Sequence, residues 1–364
     1  MERKRVVFLD WLRVVACLMV VFIHSTEPFY IGAEGRFRIA NASDAFWVTF
    51  FEALCRVCVP LFVITSSYLL FPLRVPTGEF FRRRLTRVVV PFAVWSVVYM
   101  LVYDEPMTKF LFNFPDSGGH LWFVPMLLGV YLAMPLLSPW AEKVTKRELE
   151  GWLALWFLTT LLPFARKLWV AWFGDPSFGA VPYLWGEAAW NPFGTFYYVS
   201  GFFGYLLLGL YARRFAAERP VGAALLRAVP LWLIGVAGMA AGFCCRLDGV
   251  YPTDAPYAAT VDAELFLEYC SLFVALGTAG MFGIFRTVSS AGGFYRRVVR
   301  PLSEASYGTY LVHLMILLTI LPYLQNRLPT PVCIVVLAFS SFVAASAVSI
   351  VIRRIPRIGH WLAG

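Results

Sequence analysis

Runs of about 20 mostly apolar residues recur from one end of the chain to the other, and that is the length a helix needs to cross the hydrocarbon of a bilayer. Ten can be drawn, over 7–27, 46–70, 86–103, 120–138, 151–171, 194–212, 228–245, 264–285, 305–324 and 331–352. Hydrocarbon offers a peptide group no hydrogen-bond partner, so each run must satisfy its backbone internally as a helix. The expected fold is therefore all-α, a polytopic membrane protein with about ten transmembrane helices. The composition agrees, at 60% hydrophobic and 15% charged residues; an ordinary soluble domain is about half apolar and a quarter charged. Pro163 and Pro230 make 151–171 and 228–245 the weakest runs, although membrane helices tolerate proline. No connecting loop is long enough to fold alone, so residues 1–364 read as one integral membrane domain with no fused soluble domain.

The net charge of +9 raises nucleic acid as a partner, and its distribution removes it. Arg3, Lys4 and Arg5 share one side of the membrane with the clusters at Arg82 to Arg87, Lys143 to Arg147, Arg213 to Arg227, Arg296 to Arg300 and Arg353 to Arg357. The opposite loops hold only Arg36, Arg38, Lys109, Arg166, Lys167, Arg246 and Arg327. Under the positive-inside rule both termini are expected in the cytoplasm, with the basic residues serving topology and lipid contact. The first run starts like a signal peptide but ends in His24-Ser25-Thr26-Glu27-Pro28 rather than a small-residue cleavage site, so it is read as a retained helix. The seven cysteines lie mostly within apolar runs and imply no disulfide framework; the isolated Cys55-x-x-Cys58 pair reads as helix packing. No fixed-period or inverted repeat is evident. The aromatic loop 172–193, with Trp172, Phe173, Phe178, Tyr183, Trp185 and Trp190, reads foremost as an interfacial belt and secondarily as a surface for sugar rings.

Ionisable residues inside spans are costly and mark function by default. Arg13 and His24 are eleven residues apart in the first run, which places them on one helical face with roughly 16 Å of axial separation. Imidazole can act as base, proton relay or acyl acceptor, whereas a lone intramembrane histidine often serves only an interhelical hydrogen bond. Arg13 also lies three residues after Asp10, a spacing that suits a locally neutralised pair. Glu52 and Arg56, four apart, read as a structural pair in hydrocarbon. Arg84 and Arg87 project from one side at the mouth of the third run, where guanidinium groups suit phosphates, though such clusters also serve as plain anchors. His120 opens the fourth run beside Trp122, and His313 follows Tyr310 in the ninth; packing and function are equally good readings for both.

Four motifs in order resemble the acyltransferase 3 family of multi-pass bacterial membrane enzymes, over roughly residues 5–352. They are Arg13 and His24 with ten residues between, Arg84-Leu85-Thr86-Arg87 ahead of Pro91, Leu121-Trp122-Phe123, and Tyr310-Leu311-Val312-His313. The resemblance implies an O-acetyltransferase of the bacterial inner (cytoplasmic) membrane, moving an acetyl or short acyl group from cytosolic acyl-CoA, acetyl-CoA above all, to a glycan or lipid-linked saccharide. It makes His24 the catalytic base or transient acyl carrier, names Arg13 as a second catalytic residue lower on the same face, and makes Arg84 and Arg87 the donor grip. His120, Trp122, Tyr310 and His313 are further candidates, and no metal is expected. A transporter or flippase for a polysaccharide or small organic anion is the competing class, since buried Arg and His also suit a substrate or proton path. A non-catalytic membrane scaffold is the third.

Overall fold

A computed structural model describes residues 5–32, 35–108, 115–174, 194–247, 252–255 and 263–364. The aromatic residues Phe178, Tyr183, Trp185 and Trp190, like Lys109, lie outside the described residues. The structure is a helical bundle. Helix α1 (Val7–Thr26) runs through it and packs against α2 (Ala42–Cys55), α3 (Cys58–Leu70), α12 (Arg300–Leu324) and α13 (Thr330–Arg353). Twenty residues rise about 30 Å, enough to cross a bilayer. Among the described residues nine helical segments are long and apolar enough to cross a membrane. The outward faces are apolar, with Leu136 83% and Leu226 78% exposed, as a surface bathed in hydrocarbon requires.

The tenth expected span, 194–212, is not one of the nine. Gly194–Val199 forms a tight 3-10 turn, Gly201 adopts φ of +63°, and only α9 (Phe203–Arg214) continues as helix. Twelve residues rise about 18 Å, so the segment is not one continuous helix of spanning length. The left-handed backbone at Gly201 ends one helical course and starts another, and the Trp156 indole pins it by donating to the Gly201 carbonyl at 2.9 Å. The segment nevertheless runs from Phe202, packed on Trp122 and Tyr269, to Arg213, which donates to the Tyr68 and Phe71 carbonyls at the end of α3, so it is an interrupted span buried within protein at Tyr205, Leu206, Leu207 and Leu210.

Prolines shape several spans by removing one helical donor and crowding the carbonyl four residues earlier. Pro60 disrupts the bond to Arg56, and the chain breaks there between α2 and α3. Pro163 splits the fifth span into α7 (Lys146–Thr159) and α8 (Leu162–Phe173). Pro230 does not break α10 (Val221–Leu247). Between α4 (Thr77–Arg84) and α5 (Val90–Val102), the segment Leu85–Val89 widens into a π-turn with Val90 N–H bonded to the Leu85 carbonyl, one residue ahead of Pro91. The same device recurs at Tyr295–Val299 ahead of Pro301, with Arg300 N–H bonded to Tyr295.

The strongest helix pairing joins α10 to α11 (Leu272–Phe285) through glycines. A Cβ on Gly235 would lie 2.3 Å from Gly277 N, and one on Gly280 would lie 2.3 Å from Trp232 N. The backbones touch, as small residues permit between membrane helices. The remaining helices are α6 (Phe123–Lys143), which follows a 3-10 turn over Asp116–Trp122, and the short α14 (Gly359–Ala363). A two-stranded ribbon, β1 (Phe37–Ile39) with β2 (Thr253–Ala255), pairs Arg38 opposite Asp254 and, like α4 and α14, lies outside the apolar runs. All seven cysteines are free.

Candidate active site

Near the start of α1, Asp10 is buried and fully occupied. Arg5 donates to it from Nε at 2.5 Å, Tyr295 from its hydroxyl at 2.6 Å and Ser303 at 2.8 Å. Arg13, three residues on, reaches no closer to Asp10 than 4.0 Å. Arg5 has therefore taken the carboxylate that the local spacing offered to Arg13. The Arg13 guanidinium instead lines a cavity of about 1410 Å³.

Arg84 and Arg87 line the same end of that cavity. The Arg84 guanidinium sits 5.9 Å from the Phe80 ring centre and 5.7 Å from that of Tyr131, and its buried Nε has no hydrogen-bond partner. Neither arginine pairs with a carboxylate among the described residues. Their exposed neighbour Arg83 does, with Glu79. The π-turn carries Arg84 and Arg87 through a widened stretch of helix, and the Tyr307 hydroxyl fixes that stretch by donating to the Val88 carbonyl at 2.7 Å. Arg13, 4.0 Å from an Asp10 already saturated by other donors, and Arg84 and Arg87, unpaired with any carboxylate among the described residues, face one cavity and form an anion site by charge.

At the other end of α1 three imidazoles converge. The His24 ring centre is 5.2 Å from that of His313 and 6.0 Å from that of His120, and the last two are 4.9 Å apart. His313 is fully buried and its Nδ1 lies 2.6 Å from the Tyr310 carbonyl, so Nδ1 carries the proton and the unpartnered Nε2 holds a lone pair. His120 is 4% exposed and both its nitrogens lack partners. Tyr310 ties the cluster together: its carbonyl orients His313 while its hydroxyl donates to the His120 carbonyl at 2.7 Å. The Tyr99 hydroxyl enters the α12 ladder beside His313, donating to Leu311 O and accepting from Met315 N, both at 3.2 Å. His24 Nδ1 stands 2.9 Å from Glu27 Oε1, an ion-pair distance without hydrogen-bond alignment.

Beside the histidines, the Glu52–Arg56 pair extends into a network. Thr26 donates to Glu52 at 2.5 Å, and Arg56 reaches Glu52 at 3.1 Å, the Leu267 carbonyl at 2.8 Å and Glu264 at 3.4 Å. Tyr30 completes it by donating to Glu264 at 2.7 Å. Every charge there has an opposite partner, which fits the structural reading of the pair.

One cavity thus brings together all but one of the residues singled out by sequence: Arg13, His24, Arg84, Arg87, His120, Trp122 and Tyr310 line it, while His313 lies behind His24 and His120. Sequence reasoning missed Glu27, Glu268, Tyr269 and Tyr307, which line it too. Glu27 carried a readable signal, an acid three residues beyond a histidine. The others carried none, because chain folding alone brings them in.

Fold and cavity define a polytopic membrane protein whose helices enclose a path lined by arginines at one end and histidines at the other. The chain belongs to the acyltransferase 3 family: the family model described as "Acyltransferase domain" matches residues 6–352, nearly the whole length. It is therefore a membrane acyltransferase. Comparison with curated proteins and with solved structures finds no match.

Proposed function

We propose that the protein is an O-acyltransferase of the bacterial inner membrane, moving an acetyl or short acyl group from cytosolic acyl-CoA to the hydroxyl of an extracytoplasmic glycan. The observation that carries this reading is one cavity joining Arg13, Arg84 and Arg87 to the three-histidine cluster. The arginine end also holds the start of α1, and the loop-charge asymmetry supports its facing the cytosol with both termini. The donor's phosphates meet the guanidiniums through charge-assisted hydrogen bonds. Its pantetheine arm then extends along α1, bringing the thioester to His24.

In the reaction we envisage, His24 Nε2 takes the proton of the acceptor hydroxyl as its oxygen attacks the thioester carbonyl carbon. The new C–O bond forms, the C–S bond breaks, and the coenzyme A thiolate leaves and takes up the proton from His24. The Glu27 carboxylate beside Nδ1 stabilises the transient imidazolium. His120 supplies an N–H toward the developing oxyanion in either neutral tautomer.

Purified protein in detergent, given acetyl-CoA and a glycan, is expected to transfer acetyl with no membrane gradient; a gradient requirement would favour transport. Replacing both arginines (Arg84→Ala with Arg87→Ala) is expected to weaken coenzyme A binding on the order of 100-fold, from about 1.5 kcal/mol per charged hydrogen bond. Calorimetry showing unchanged affinity would remove the donor grip.

A further inference from the structure

Beyond His24, away from the arginines, the cavity has a second chemically distinct wall. Trp122 and Tyr269 pack with ring centres 5.4 Å apart and planes tilted by 33°, and the Arg56 guanidinium braces Tyr269 from 4.8 Å over its ring. Both aromatic residues line the cavity, as does Glu268. Arg56 is committed to Glu52 and Glu264, and Glu264 to Arg56 and Tyr30. Glu268 makes no ion pair or side-chain hydrogen bond with the described residues and is exposed to the cavity. Two positions before Trp122 stands His120, 4% exposed, lining the same cavity with both ring nitrogens unpartnered. A buried polar group left unsatisfied is costly, so such a group facing a cavity marks where a ligand supplies the missing bonds.

We infer that this wall is the acceptor seat, taking a hydroxyl-bearing pyranose ring with its apolar C–H face on Trp122 and Tyr269 and its hydroxyls between Glu268 and His120. A pyranose has both an apolar face and a polar rim, which matches an aromatic wall flanked by an unpaired carboxylate and an unpaired imidazole. The carboxylate accepts from two adjacent hydroxyls, and the ring nitrogen of His120 that carries no proton accepts from a third. That arrangement leaves another hydroxyl directed toward His24, whose ring centre is 6.0 Å from that of His120. The purpose of the seat rests on the acyl-transfer reading; its capacity to bind sugar does not.

The test measures sugar binding and donor binding separately on the full chain in lipid nanodiscs. Saturation-transfer NMR with maltotriose and chitotriose probes a free saccharide, and dodecyl maltoside incorporated in the nanodisc probes a lipid-borne one. The wild type is expected to transfer saturation to ring C–H protons in at least one arm, and the responding arm identifies the source. Trp122→Ala is expected to cut that signal at least fivefold and the shape-preserving Glu268→Gln at least threefold, with coenzyme A affinity within twofold of wild type in both. The inference is overturned if no probe binds the wild type, if Glu268→Gln binds sugar as well as wild type does, or if coenzyme A affinity falls in step with sugar binding. If sugar binds as described while the wild type binds no coenzyme A, the seat stands and the acyl-donor reading falls.

Discussion

Asp10 and Arg13 show how a single contact separates a side chain committed to the protein from one left facing the cavity. Their spacing suggested mutual neutralisation, yet Arg5, Tyr295 and Ser303 saturate Asp10, and Arg13 is left facing the cavity. The competition was invisible in sequence because Tyr295 and Ser303 lie nearly 300 positions away. The two residues should therefore separate on mutation. Asp10→Ala is expected to lower thermal stability by about 3 kcal/mol, as loss of one member of a buried pair does, with coenzyme A affinity within twofold. Arg13→Ala is expected to do the reverse, weakening coenzyme A about tenfold, one charged contact's worth, with a small change in melting temperature. A loss of coenzyme A binding in Asp10→Ala without loss of stability would contradict the division. His24, by contrast, was legible from the first run alone, since helical periodicity fixes its face relative to Arg13.

Among the elements, the spans were legible wherever hydrophobicity and length agreed, and illegible where a local backbone device intervened. Gly201 interrupts one expected span, and Pro60 and Pro163 split two others. Hydropathy cannot register a backbone turn, which is why 194–212 reads as one unbroken span. The π-turn ahead of Pro91 makes a prediction of its own. Pro91→Ala restores a donor for the Arg87 carbonyl and allows regular helix, which rotates Arg84 relative to the cavity. Coenzyme A affinity is expected to fall several-fold while melting temperature holds or rises; unchanged affinity would mean the widened turn does not set arginine placement. The glycine seam between α10 and α11 is tested by Gly280→Leu, since even a Cβ meets Trp232 N at 2.3 Å. A loss of 1–3 kcal/mol or more, typical of overpacking, should appear as a lower melting temperature in detergent. A stability matching wild type would contradict the close approach.

Across the whole molecule, what sequence supplied as separate motifs the bundle gathers around α1. Arg84 and Arg87 arrive beside the start of α1, and His120 and His313 beside its end, with a continuous cavity between. Sequence could order the motifs, but not show that one cavity joins them. It also missed the aromatic and acidic wall at Tyr269 and Glu268, whose residues follow no periodic pattern. On the proposed reading, His24 acts chemically at the far end of a path whose donor is held at the arginine end. The most direct measurement compares acetyl transfer from acetyl-CoA and coenzyme A affinity in purified wild type and His24→Ala. The expected result is transfer reduced by 10² to 10⁴-fold, the usual worth of a general base, with coenzyme A affinity within about twofold. Transfer at the wild-type rate in a folded His24→Ala protein would contradict it.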